Sequence, residues 1–433
     1  TRAAATSNMG TDLTKQLTRQ PRAIMVTAAV LFIFGLLPGM PTLTFTVLGM
    51  VVGGVGFMTR HAKIREEKIA EEHKRKTQQT QQPQERTEDL LKIDILGLEI
   101  GYGLIPLVDP NQGGDLLNRI ASIRKQLATE LGIVVPPIRI RDNMQLGPNE
   151  YQIKIKGIRV AGFELMLDHL LAINPGYVKE KLDGFDTTDP AFSLSATWIL
   201  PHLKEIAESK DFTVVEPSAV LATHLTEVIR AAAPEILTRQ DVQHLVNTLK
   251  EDYPALVEST IPEVLPLPTL QKILQSLLRE RVPIRDLATI VETASDYIGV
   301  TKESDVLAEY VRMALKRQIT EMYKDRNGKI NVFTIDPAIE QNLSDSLQNT
   351  KQGLMLAVDP ALAEALLERI GHLVELMQTK GQTPVCLCTP NIRLGLRRLV
   401  EPKYPNLAVV SYNEILPYTE VVSSGMVRLQ NEN

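Results

Sequence analysis

The sequence is poor in most of the residues that would announce a chemistry. Cysteine occurs twice in 433 residues, at Cys386 and Cys388, so no disulfide framework holds the fold, as suits a reducing compartment. There is no basic excess: 47 Lys plus Arg face 52 Asp plus Glu. That speaks against a protein built to coat nucleic acid, which needs a cationic surface. The seven histidines (61, 73, 169, 202, 224, 244, 372) are scattered, and none pairs at the spacing of a zinc-binding helix. No G-x-x-x-x-G-K-[ST] loop is present to cradle a nucleotide, and no G-x-S-x-G elbow to present a nucleophile. Gly53-Gly54-Val55-Gly56 lies inside an apolar run and only superficially resembles a phosphate loop.

What remains reads as structure. Cys386 and Cys388 have no companion ligand pair, and the alternation of PVCLC (384–388) fits a buried strand, so they are read as structural thiols. Glu292 and Glu309 lie on helical segments among polar neighbours and are read as solvated faces. Neither a catalytic residue nor a metal ligand is assigned, no cofactor is expected, and the chain is not read as an enzyme.

Charge is missing locally as well. Charged residues make up 23% of the chain, yet Ala23–Leu37 and Thr42–Met58 contain none. Two readings compete: buried helices of a soluble core, or a hairpin crossing a membrane about the turn Pro38-Gly39-Met40-Pro41. The flanks favour the membrane. Lys15, Arg19 and Arg22 precede the pair, and Arg60, His61, Lys63, Arg65 and Lys68 follow it, while the turn carries no charge. This is the positive-inside pattern for two spans with both ends in the cytoplasm. Gly49 and Gly53 form a G-x-x-x-G step that lets helices pack closely in lipid. The opening TRAAATSNMG reads as mid-protein, and no cleavage-site pattern ends the apolar run, so an N-terminal truncation rather than a signal peptide is expected.

Residues 60–89 turn from a charged helical pattern to a Gln- and Thr-rich stretch that cannot bury a core and reads as a flexible linker. From Leu90 the chain is globular. KIDILGLEIGYGLIPLV (92–108) reads as short strands broken by Gly97, Gly101 and Pro106. Gly113 to Leu131 reads as an amphipathic helix with Leu116, Leu117, Ile120, Ile123 and Leu127 inward. PPIRIRD and YQIKIKGIRV alternate as strands do. Between 217 and 316 the pattern is helical almost throughout, punctuated by Pro234, Pro254, Pro262, Pro266, Pro268 and Pro283. The end returns to strand–helix–strand order, which suggests parallel pairing.

One stretch stands apart, TTDPAFSLSATW (187–198), which holds Trp198, the only tryptophan. It can be a helix start, with Asp189 capping, Pro190 in the first turn and Phe192 packed inward. It can also be a turn that leaves Phe192 exposed as an aromatic anchor beside a carboxylate.

The ordered set of DILGLEIGYGLIPLVD, IRDNM, LAINPG, TDPAF, FTVVEPSAVLATHL, LQKILQSLL and VPIRDL resembles the FHIPEP family, the large export-gate subunits of type III secretion, and its flagellar branch in particular. The family's further membrane spans and the signature that names it are lacking here. The resemblance implies a membrane-anchored protein of mixed class: a transmembrane helical hairpin, then a multidomain cytoplasmic region of α/β, small α+β, all-helical and α/β subdomains. The implied boundaries are 1–59 for the membrane region and 60–89 for the linker. Residues 90–167 with 217–236 form the first subdomain, 168–216 an inserted second, 237–316 a helical third, and 317–433 the fourth with its tail.

The implied role is a homo-nonameric platform at the bacterial inner membrane, with its C-terminal domain cytoplasmic, that docks flagellar export chaperone–substrate complexes. Other export-gate membrane subunits, membrane lipids and an ATPase stalk protein engaging the linker are further implied partners. By the motif match, the chaperone-docking residues would be Asp189, Phe192 and Thr223. The alternatives are the homologous gate of a virulence injectisome, or a membrane-tethered enzyme or transporter subunit holding an anionic ligand at the helix start near Thr389–Asn391.

Overall fold

The computed structural model describes residues 21–34, 43–44, 47–54, 57–58, 93–178, 180–350 and 353–428, in two compact units divided between Lys92 and Ile93. In the first unit, Pro21–Phe34 is a helix (α1). A Cβ placed on Gly53 would lie 3.7 Å from the Cβ of Ala28, and Gly49 and Ala28 are buried, so the two apolar runs meet at these small residues. Around that contact Val26, Val30, Ile33, Phe34, Leu48 and Met50 are exposed. Among the described residues no helix is long and apolar enough to cross a membrane. The turn Pro38–Pro41 and the linker 60–89 lie outside the described residues.

The second unit opens with β1 (Leu96–Ile100), a single strand with Gly97 inside it rather than several short ones. Tyr102–Leu104 and Ile105–Val108 then coil into helical turns, because Pro106 fits a first turn but not a ladder. The helix α2 (Leu116–Leu131) buries Leu116, Ile120, Ile123, Leu127 and Leu131, whereas Leu117 faces outward, one step off that stripe. Gly132 ends it at φ 78°, and a Cβ there would sit 2.5 Å from the Arg285 amide nitrogen. Next come β2 (Ile138–Asp142), β3 (Glu150–Ile155) and β4 (Ile158–Glu164), so YQIKIKGIRV is a hairpin rather than one strand. The sheet order is β2-β1-β3-β4.

A second sheet follows from β5 (Leu170–Ile173), β6 (Phe185–Thr188), β7 (Ser195–Ile199) and β8 (Thr213–Val215), in the order β6-β7-β5-β8. A short helix, α3 (Lys204–Ser209), precedes β8. This sheet is buried on both faces. Leu171, Ala196 and Trp198 join the main core, while Ala172 and Ile199 close on Ala207 and Phe212. The next helix, α4 (Pro217–Ile236), starts on Pro217 and turns Val220, Leu221, Leu225 and Ile229 inward. Pro234 lies inside its last turn and does not end it.

Six helices carry the chain onward: α5 (Arg239–Asp252), α6 (Pro254–Thr260), α7 (Leu267–Arg279), α8 (Leu287–Tyr297), α9 (Ser304–Ala314) and α10 (Lys316–Tyr323). A capping box of Thr238 and Asp241 starts α5, and Asp286 caps α8.

The last region is α/β. Its elements are β9 (Ile330–Ile335), α11 (Pro337–Asp345), the hairpin β10 (Leu347–Thr350) with β11 (Gly353–Leu356), α12 (Pro360–Thr379), β12 (Val385–Cys388), α13 (Pro390–Val400), β13 (Ala408–Ser411) and β14 (Val421–Val427). The sheet runs β13-β12-β9-β14 with every pairing parallel. One continuous core extends from Leu96 to Val410, and a second lies within this last region.

Candidate functional site

TTDPAFSLSATW is not a helix start. Asp189 to Leu194 is the turn between β6 and β7. Pro190 keeps Asp189 out of helical conformation, and two opposed strands can then close the loop through Asp189 N–H donating to Leu194 O at 2.8 Å. Ser193, at φ 58°, donates its amide to Asp189 O at 2.9 Å. The Asp189 carboxylate turns inward, only 3% exposed, and accepts the Phe192 amide at 2.7 Å. Burial pushes its pKa up, and the Phe192 and Ala191 amides pull against that rise. The turn is therefore braced from within.

Phe192 points the other way and is 55% exposed. The turn thus holds a large apolar ring in water. Phe185 on β6 is a second exposed aromatic, edge-on to His169 with ring centres 5.7 Å apart. It escaped the sequence reading because alternation along β6 predicts which residues share a face, but not that β6 is an edge strand. Gly184 precedes it, where a Cβ would meet Trp198 O at 2.1 Å.

Thr223 comes from a different element. It is exposed on α4, on the wall of an open groove of about 550 Å³ between α2 and α4 that Asn118, Arg119, Glu227 and Arg230 also line. His224, the next residue, is buried with Nδ1 2.7 Å from the Tyr151 hydroxyl of β3. Asp189 and Phe192 are thus joined by a hydrogen bond, whereas Thr223 stands on a separate element, α4, and lines a groove that includes neither of them.

Elsewhere the structure corrects one reading and fills in others. Glu309 is not on a solvated face: with Glu280 it grips the fully buried Arg393 of α13, whose Nη1 donates to Glu280 at 2.7 Å. The fully buried Arg312 of α9 reaches Glu414 from the same cluster. Glu292 is exposed. Cys386 and Cys388 are buried free thiols pushed up by burial, and no group of metal-ligating side chains occurs among the described residues. At the helix start near Thr389, the Thr389 amide donates to Glu340 at 3.0 Å, so the chain's own carboxylate already occupies it.

The two sheets, the helical stretch and the all-parallel terminal sheet match the fold of solved structures. The nonameric EscV cytosolic domain from the type III secretion system is 23% identical, with TM-score 0.61, covering 77% of this chain and 97% of that one. The structure of the Chlamydia pneumoniae CdsV and CdsO complex matches at 27% identity and TM-score 0.70, covering 78% of this chain and 98% of the solved one. The FHIPEP family model matches residues 1–420, and the chain belongs to the FHIPEP family. The flagellar biosynthesis protein FlhA of Bacillus subtilis (strain 168) is 41% identical over 430 residues, 99% of this chain. The chain spans 63% of that relative's length.

Proposed function

We propose that the chain is the membrane-anchored docking platform of a flagellar type III export gate, and that chaperone–substrate complexes dock on Asp189, Phe192 and Thr223. The observation that carries this reading is the braced turn, with a buried carboxylate beneath an exposed phenyl ring. Binding specificity, not catalysis, is what such a surface supplies, and an export gate needs no more from this region.

The wider assembly follows from the same reading. Copies would form a ring, nonameric as in the EscV structure, beside other export-gate membrane subunits at the bacterial inner membrane. The linker 60–89 would meet the ATPase stalk protein. The apolar runs would make the anchor in lipid, which accounts for the exposed Val26, Val30, Ile33 and Phe34 around the Ala28–Gly53 contact.

Residues 93–433, a compact unit of their own, offered to purified flagellar chaperone–substrate complexes, test the reading. Phe192→Ala is expected to cost about 2 kcal/mol, roughly a thirtyfold loss of affinity. Wild-type binding to injectisome chaperones alone would move the assignment to that branch. Binding to flagellar complexes that ignores Phe192→Ala and Asp189→Ala would keep the platform and discard the turn as its site.

A further inference from the structure

Tyr151 is assigned no docking role above, yet it stands between the elements that carry Asp189 and Phe192 on one side and Thr223 on the other. It lies on β3 directly across from Phe163 on β4, and directly opposed residues of an antiparallel pair share a face of the sheet. Phe163 stacks on Trp198, with ring centres 6.4 Å apart and planes at 28°. Trp198 sits on β7, the strand that leaves the Asp189–Leu194 turn, and it pairs with Phe185 on β6, the strand that enters it. On the other side, the Tyr151 hydroxyl meets His224 Nδ1 at 2.7 Å, one residue along α4 from Thr223.

We propose that Tyr151 is a positioning residue of the docking site. Its hydrogen bond to His224 and the neighbouring Phe163–Trp198 stack hold Thr223 on α4 in fixed register with the turn that presents Asp189 and Phe192. The inference rests on the docking reading above. Packing alone asks only for an aromatic ring at this fully buried position, and phenylalanine would supply it. The hydroxyl adds a directional link, which must find a partner once buried, and its partner is on the helix that carries Thr223. The Asp189 charge reinforces burial in pushing the Tyr151 hydroxyl's pKa up, as expected of a side chain near the base of the turn.

The test uses residues 93–433 with one flagellar chaperone–substrate complex, reading binding affinity, thermal midpoint and the emission of Trp198, the chain's only tryptophan. Tyr151→Phe keeps the ring and is expected to lower affinity about tenfold, the scale of one lost hydrogen bond to a binding surface's support. Its Trp198 emission is expected to shift while unfolding stays cooperative. His224→Leu, which breaks the same bond from the other end, should match it. His224→Gln, which can still donate and accept, should restore binding. A purely structural bond would lower the thermal midpoint and leave affinity unchanged.

Wild-type affinity in both Tyr151→Phe and His224→Leu, with Phe192→Ala still impaired, would overturn the proposal and spare the docking site. Indifference of Phe192→Ala as well would instead bring down the docking reading and this proposal with it.

Discussion

Asp189 and Phe192 are three residues apart and end in opposite environments, one carboxylate sealed under the turn and one ring in water. Their types and the proline between them make a turn readable from sequence. Which side faces water is set by Trp198 and the core beneath it. His224 shows the same dependence, since nothing local marks it as buried. Burial lowers its pKa from the ordinary 6.5 to about 4. Between those values the unfolded chain takes up a proton that the folded one refuses. This contribution to stability is complete above about pH 6.5 and falls away as the pH drops toward 4. Urea midpoints at pH 7 and pH 5 are expected to differ, and His224→Gln is expected to narrow the difference. An unchanged gap would mean that the imidazole titrates normally.

At the scale of elements, the helical stretch and the terminal sheet meet through charge as well as apolar packing. Arg393 of α13 takes Glu280 and Glu309 at once, and Arg312 of α9 takes Glu414, just after β13. Burial works against the charge of Glu280, but the guanidinium groups of Arg312 and Arg393 outweigh it and hold the group down to about 2. That contribution is present above pH 4.5 and is lost as the pH falls toward 2. Arg393→Met would leave two acidic side chains facing each other without their shared cation. The expected cost is about 3–5 kcal/mol, measured by urea unfolding of residues 93–433. A loss below about 1 kcal/mol would show that these carboxylates reach water instead. Sequence gave no access to this cluster, because Glu280 and Arg393 are 113 positions apart. Taken one at a time, Glu309 and Arg393 look like the polar faces of ordinary helices.

For the whole molecule, the chain divides after Lys92 into two compact units whose surfaces differ in kind. Large apolar side chains are exposed around the small-residue contact of the first unit. The second unit buries its aliphatic residues in cores of its own. The complete chain is expected to sediment with membranes and resist extraction by alkaline carbonate, whereas residues 93–433 should remain in the supernatant. Recovery of the complete chain in the carbonate supernatant would count against the lipid anchor. Replacing Gly53 with isoleucine places branched carbon against Ala28 and should weaken packing between the two runs without releasing the chain from the membrane.

Local pattern by itself determined a good deal: the charge-free pair of runs, most of the amphipathic face of α2, the helical character of 217–316, and the extended character of 136–142 and 151–160, though not the turn that splits the latter into β3 and β4. Such features depend on neighbours within a few residues, where periodicity and turn chemistry act. Parallel pairing in the terminal region was suggested by the strand–helix–strand order, but the strand order β13-β12-β9-β14 and the strand β14 itself were not. Only the tertiary structure decided that Asp189 closes a hairpin instead of capping a helix, since a proline-led turn serves either until the partner strand pairs. It alone decided that Leu117 faces out, that Pro234 stays within α4, and that Tyr151 meets His224 across 73 positions. Such outcomes depend on which distant surface arrives, and no local window of sequence contains that surface.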